Sequence, residues 1–100
     1  METNRIYNHQ DEELPLSEAY HPGEFLKDEI QVRKIKKSDL AASLGVLPAF
    51  LSGLLSGKRN ISADMALKIE KILDIDAITL LRMQALYDLV QARKKLKLIS

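Results

Sequence analysis

The sequence predicts an all-α domain of five helices that follows an irregular N-terminal arm. Apolar residues recur every three to four positions from about residue 25 onward, which is the period of an amphipathic helix. No segment alternates apolar and polar residues over more than a few positions, so strands are not expected. Proline, glycine, serine and aspartate fall between the periodic segments, where helices begin and end.

Three helices are expected in the first half of the domain. Pro22 and Pro48 each stand in a first helical turn, where a missing backbone N–H is tolerated. Gly45 can adopt the positive φ that ends a helix. The expected bounds are His21 to about Lys34, Lys37 to Leu44, and Pro48 to about Leu55. The side chains expected to face the core from the first of these are Phe25, Leu26 and Ile30.

Two further helices complete the domain. Ser62 is a favourable N-cap for the fourth, and Asp64 in its first turn suits the positive end of the helix dipole. Its inward side chains are expected to be Ala66, Ile69, Ile72 and Leu73. Asp74 or Asp76 is expected to cap a fifth helix, which runs from about Ala77 to the mid-nineties and spans roughly 20 residues or ~30 Å.

The net charge of +1 is the sum of two unlike segments. Residues 1–20 contain one basic and five acidic side chains, whereas residues 21–100 contain 14 basic and nine acidic ones. We therefore divide the chain into an acidic irregular arm, 1–20, and a basic helical domain, 21–100. Either the arm is a solvated leader, or it orders on a basic partner or on the basic face of its own domain. The basic domain leaves nucleic acid open as a partner.

Composition excludes several classes of function. The chain has no cysteine, which rules out disulfides and thiolate metal sites. It has no apolar run near the roughly 18 residues that span a bilayer, and its start lacks the pattern of a signal peptide. We expect a soluble, cytoplasmic protein without a membrane partner. His9 and His21 have no third ligand, and no nucleophile–base pair stands out, so we expect no metal, no cofactor, no small-molecule substrate and no catalysis.

Residues 40–54 fit a helix-turn-helix. Two short helices that cross steeply need a small side chain at their contact, which Ala41 supplies, and a sharp reversal four residues later, which Gly45 allows. The apolar residues expected to hold both helices to the scaffold are Leu40, Leu44, Val46, Leu51 and Leu54. An ordinary αα-hairpin is the alternative, but the full spacing and the flanking helices favour the DNA-binding type.

The sequence resembles the HigA-type antitoxins, a branch of the lambda-repressor-like (Xre) helix-turn-helix proteins. The resemblance covers residues 21–92 and rests on four segments: His21–Glu24, Leu40–Val46, Gly57–Ala66 and Met83–Leu89. It implies a five-helix lambda-repressor-like fold and a homodimer that binds and blocks a cognate toxin, commonly a RelE-like mRNA nuclease. It also implies repression of the protein's own operon at a palindromic operator in double-stranded DNA.

The third helix is then the expected recognition helix in the major groove. Its outward residues are expected to be Ala49, Phe50, Ser52, Gly53 and, at its end, Ser56. Only the two serines are polar, so this helix offers no bidentate arginine–guanine pair, although alanine or phenylalanine can contact a thymine methyl group. For Phe50, a place in the core or in a protein contact is an equal alternative.

Two further surfaces are expected around this helix. The residues expected to contact phosphates are Lys36, Lys37, Ser38, Lys58, Arg59 and Asn60. The fifth helix carries more apolar stripes than one helix of a small domain buries, and the resemblance implies that one stripe is the dimer contact. The residues assigned to it are Leu80, Met83, Leu86, Tyr87 and Val90, with packing inside the domain as the alternative.

Two other functions fit the same features. A free-standing Xre-family transcriptional regulator would share all the DNA-binding residues and lack a toxin. A protein-interaction module could keep the fold after losing base readout, which the apolar recognition helix permits.

Overall fold

The computed structural model describes the backbone of residues 19–99 and the side chains of residues 19–97. Within that range it contains five helices and no strand, which confirms the predicted fold class. The helices are α1 (Pro22–Val32), α2 (Lys37–Leu44), α3 (Pro48–Leu55), α4 (Ala63–Leu73) and α5 (Ala77–Ile99). The predictions made for the arm concern residues that lie almost wholly outside the described range.

Three helix ends show cap or stop geometry, and at Ser62 and Gly45 it is the geometry that the sequence predicted. The His21 Nδ1 atom accepts a hydrogen bond from the backbone N–H of Gly23 at 2.9 Å and so caps α1. Ser62 Oγ accepts from the N–H of Met65 at 3.2 Å and caps α4. Gly45 has a φ of 73°, the left-handed conformation that ends α2.

The connection between α4 and α5 shows which of the two candidate aspartates precedes α5. Asp74 adopts φ 59° and ends α4, so it does not cap α5. Asp76 precedes the first helical residue, and its carbonyl accepts from the N–H of Leu80 at 3.2 Å. Glu70 reaches across from α4, and its Oε2 accepts from the N–H of Ala77 at 3.1 Å. The two helices are therefore tied by a side chain at the start of α5.

The core joins all five helices. Its buried members are Leu26, Ile30, Leu40, Ala41, Leu44, Leu51, Leu54, Leu55, Ile61, Met65, Ala66, Ile69, Leu73, Ile75, Ala77 and Leu80. Phe25 and Val46 pack against this cluster while partly buried, as their spacing predicts. Ile72, which was expected to face inward, is 39% exposed. It lies at the margin of the apolar stripe of α4, where helical spacing does not distinguish core from surface.

Close backbone approach sets the positions of α2 and α3. The two helices are bent by 106° relative to each other, and Ala41 at their contact is only 1% exposed. The start of α1 approaches α3 so closely that a Cβ atom on Gly23 would lie 1.7 Å from the carbonyl oxygen of Leu54. Of the described helices, none alone is long and apolar enough to cross a membrane, and α2 with α3 meets that test only as this bent pair.

The outer apolar stripe of α5 differs from the predicted one. Leu80 is 0% exposed and Val90 is 4% exposed, so both are buried within the chain itself, and their assignment to a dimer surface is wrong. Met83, Leu86 and Tyr87 are partly buried, and their assignment to the dimer contact stays a prediction. The exposed apolar residues of the described part of α5 are Ile78, Ala85, Leu89, Ala92 and Leu96. More than one apolar stripe runs along this helix, and the packing of α5 on α1 and α4 selects which one is covered.

Candidate nucleic-acid interface

The outward face of α3 is small and nearly apolar. Ala49, Ser52 and Ser56 are exposed, where the sequence places them. The Ser56 hydroxyl donates to the carbonyl oxygen of Gly53 at 3.2 Å, so part of its hydrogen-bonding capacity is used within the helix end. Phe50 is partly buried and packs against the core, which matches the inward alternative more closely than an outward one.

The Arg59 side chain lies on α3, over Phe50 and Gly53. Its guanidinium carbon lies 4.5 Å from the centroid of the Phe50 ring, in a cation–π contact. Its aliphatic carbons lie over Gly53, since a Cβ atom built on that glycine would be 3.1 Å from Arg59 Cδ and 3.2 Å from Cγ. The sequence placed Arg59 beside Lys58 as a loop cation, whereas the structure lays its side chain along the helix.

A second basic group lies at the start of α2. Lys36, Lys37 and Ser38 are all exposed, and Lys36 stands at the N-cap position without a side-chain hydrogen bond to the helix. The first-turn amides of α2 therefore have no side-chain cap. Their N–H groups and the ammonium groups of the two lysines can bind the same anion.

Lys27 of α1 joins this group, although sequence reasoning did not select it. A groove of about 230 Å³ is lined by Lys27, Lys37, Ser52, Leu55 and Ser56. It brings a cation from α1 next to one from α2, on the same side as the exposed serines of α3. The sequence alone carries no signal for this placement, because Lys27 is one of several exposed charges on α1 and the packing of α1 on α3 brings it to the groove.

Hydrogen bonds at both ends of the loop between α3 and α4 fix its shape. The N–H groups of Lys58 and Arg59 both donate to the carbonyl oxygen of Gly53, at 3.0 and 3.1 Å. Between them and α3, Gly57 takes a positive φ of 81°. Lys58 and Arg59 are thereby held against the end of α3, with both side chains exposed.

Gln84 anchors the other end of this loop, and it is 6% exposed. Its Oε1 accepts from the N–H of Ile61 at 2.8 Å, while its Nε2 donates to Asn60 Oδ1 at 3.2 Å and to Asp88 Oδ1 at 3.0 Å. Asn60 therefore uses its carbonyl oxygen inside the protein, and its amide nitrogen is the part left to meet a phosphate. Gln84 belongs to the Met83–Leu89 segment that carried the resemblance, but no spacing argument assigned it a role.

His21 is buried beneath the same loop. Its ring packs edge-to-face on Tyr87 with 4.8 Å between centroids, and the Cβ position of Gly57 would lie 3.5 Å from its Cγ. Its Nε2 atom has no hydrogen-bond partner among the described residues. Burial lowers the pKa of His21, and the nearby carboxylates of Glu24 and Asp88 oppose this effect only in part.

The described residues contain no group of three or more histidine, cysteine, aspartate or glutamate side chains that could hold a metal ion. The groups that this surface presents are lysine and arginine cations, serine hydroxyls and backbone amides. These groups bind phosphates and base edges.

Comparison with known proteins agrees with this geometry. The helix-turn-helix family matches residues 26–80. Virulence-associated protein I of Dichelobacter nodosus is 35% identical over 77 residues, which are 76% of this chain and 71% of that protein.

Two solved structures are similar over most of the described chain. A HigA-family addiction module antidote protein from Coxiella burnetii is 33% identical with a TM-score of 0.70, over 77% of this chain and 85% of that one. The Pseudomonas aeruginosa antitoxin HigA, solved with the higBA promoter, is 32% identical with a TM-score of 0.72, over 77% of this chain and 85% of that one. The chain therefore belongs to the helix-turn-helix family and, within it, to the HigA branch.

Proposed function

We propose that this protein is a HigA-type antitoxin that represses its own operon by binding operator DNA with α3 in the major groove. The observation that carries the proposal is the pair of basic groups on either side of the exposed face of α3. Lys27 and Lys37 line a groove together with Ser52 and Ser56 of α3, whereas Arg59 lies against Phe50 and Gly53 of the same helix. Lys36 and Lys58 are the exposed chain neighbours of Lys37 and Arg59. The Pseudomonas aeruginosa relative was solved with promoter DNA, which supports the same use of this surface.

In this proposal the lysines of the two basic groups contact the phosphate backbone and position α3. The contacts assigned to phosphates are those of Lys36, Lys37, Ser38, Lys58 and the Asn60 amide, together with Lys27. The contacts assigned to base edges come from Ala49, Ser52 and Ser56, with Phe50 and Gly53 beneath Arg59. Phosphate contacts set affinity and its dependence on salt, whereas base contacts set sequence preference.

A palindromic operator requires two copies of the chain with their recognition helices about one DNA turn apart, roughly 34–36 Å. We assign the homodimer contact to the exposed apolar stripe of α5, whose first three residues are Ile78, Ala85 and Leu89. Ile78 is 56% exposed and Leu89 is 47% exposed, so both leave apolar area that a partner can cover. Dimerisation would also double the positive charge that meets DNA.

The proposed second partner is a cognate toxin of the RelE-like, mRNA-cleaving class, which the antitoxin binds and neutralises. Membership of the HigA branch supports this partner. Co-expression with the product of the neighbouring reading frame tests it, since a toxin should co-purify in a stable complex and lose its growth inhibition. If no complex forms, the free-standing regulator is favoured instead.

DNA binding is tested by titrating the protein against its own promoter and against a scrambled duplex at several salt concentrations. We expect preference for the promoter and, for Lys37→Ala or Lys58→Ala, a salt slope smaller by about one unit per subunit. Lys68→Ala on α4 is the matched control, with the same loss of charge and an unchanged slope. Equal affinity for both duplexes would favour the protein-interaction module.

A further inference from the structure

The recognition helix has no side chain that forms a bidentate hydrogen-bond pair with a base. Among its residues and the serine that follows it, only Ser52 and Ser56 are polar, and a hydroxyl does not distinguish guanine from adenine well. Discrimination between bases in the major groove comes mainly from arginine and lysine on guanine, and from asparagine and glutamine on adenine. If α3 reads a sequence, a group from outside the helix has to supply this contact.

Arg59 is placed to do so. Both its backbone and its side chain are fixed to α3, through the hydrogen bond from its N–H to Gly53 at 3.1 Å and through the 4.5 Å contact of its guanidinium with the Phe50 ring. The side chain is exposed, and no carboxylate within the described range pairs with it. The guanidinium donors are therefore available to a ligand that meets the outward face of α3.

Gly53 makes this arrangement possible. It stands inside a short helix, where glycine is unfavourable relative to alanine, so its presence calls for a reason in packing. Any side chain there would meet Arg59, because a Cβ atom would lie 3.1 to 3.2 Å from three of its atoms. The missing side chain leaves the space against α3 in which the Arg59 side chain lies.

From this geometry we infer that Arg59, and not a residue of α3, is the specificity-determining residue of the interface, and that it reads a guanine through its O6 and N7 atoms. The inference rests on the proposed operator binding and names its main base contact. The planar guanidinium matches the two acceptors of guanine. Its contacts with Phe50 and Gly53 orient the side chain before DNA arrives, which reduces the entropy lost on binding.

The test compares wild type with Arg59→Ala, Arg59→Lys and the neighbouring control Lys58→Ala on promoter and scrambled duplexes. We expect the ratio of the two affinities to fall by roughly 5- to 150-fold per half-site for both Arg59 variants. Arg59→Lys keeps the charge, so its salt slope should remain that of the wild type. Lys58→Ala should weaken binding to both duplexes equally and leave the ratio unchanged.

Methylation of guanine N7 identifies the base. In wild type, one guanine in each half-site should block binding when methylated, and in Arg59→Ala that interference should disappear. Gly53→Ala is a second variant, and the atoms that its added methyl group meets belong to the Arg59 side chain. It should lower the affinity ratio while the melting temperature stays at or above that of wild type.

The opposing results are distinct. If Arg59→Ala and Arg59→Lys weaken binding to both duplexes by the same factor, or if the methylation pattern is unchanged in Arg59→Ala, the inference is wrong while operator binding stands. If wild type does not distinguish promoter from scrambled DNA, the proposed function fails and the inference fails with it.

Discussion

Replacing Gln84 with methionine should destabilise the domain by about 2 kcal/mol. The substitution keeps the side-chain length and removes all three hydrogen bonds of the buried amide. The largest cost is the buried N–H of Ile61, which loses its acceptor and contributes roughly 1–3 kcal/mol. Asn60 and Asp88 are exposed, so water replaces most of what they lose, at a cost of about 1 kcal/mol or less. Burial of the methionine side chain recovers about 1 kcal/mol.

Thermal unfolding, monitored by the circular dichroism signal of the helices, measures this loss of stability. For a domain of this size, about 2 kcal/mol corresponds to a Tm lower by roughly 8–16 °C. Gln91→Met is the matched control, because it makes the same chemical change two turns further along α5 and lies outside the hydrogen-bonded cluster. A Tm for Gln84→Met equal to that of Gln91→Met would refute the assignment of Gln84 as the anchor of the loop.

Two further predictions concern the buried start of α1. Gly23→Ala should lower the free energy of unfolding in urea by more than about 3 kcal/mol, because the added Cβ overlaps a backbone carbonyl that cannot rotate away. The control Glu24→Ala should lower it by only about 0.5 kcal/mol or less. Similar urea midpoints for the two variants would contradict the close approach of Gly23 to Leu54. The lowered pKa of His21 means that the unfolded chain binds a proton more readily than the folded one. The free energy of unfolding therefore keeps the full contribution of His21 above about pH 6.5, and it falls at lower pH by up to about 1.4 kcal/mol per pH unit. His21→Asn keeps an acceptor for the Gly23 N–H, so the difference in Tm between about pH 7.5 and about pH 5.5 should shrink; an unchanged difference would assign the titration to another group.

Most of the fold could be predicted from the sequence, because local signals determine it. Pro22, Gly45, Pro48 and Ser62 each mark a helix end through their own backbone or capping chemistry, and the structure begins or ends helices at these places. Such signals depend on a few neighbouring residues and need no knowledge of tertiary packing.

The errors arose where several answers satisfy the same helical period. On α5, Leu80 and Ile78 are equally apolar, yet packing buries the first and exposes the second, so Leu80 was wrongly assigned to the outer stripe. The site shows the same limit in another form. Lys27 and Lys37 line one groove because α1 packs on α3, and Arg59 lies over Gly53 because of the path of a loop. Spacing within one helix cannot reveal either arrangement.

The position of Arg59 also affects how this protein could be engineered. The surface that α3 presents is completed by the Arg59 side chain, four residues beyond the end of the helix. A graft of Pro48–Leu55 into a related scaffold would therefore transfer the helix without the guanidinium that lies on it. The smallest transferable unit runs from Pro48 through Arg59. A recipient would also need a glutamine equivalent to Gln84 to hold the adjoining Asn60–Ile61 segment in place.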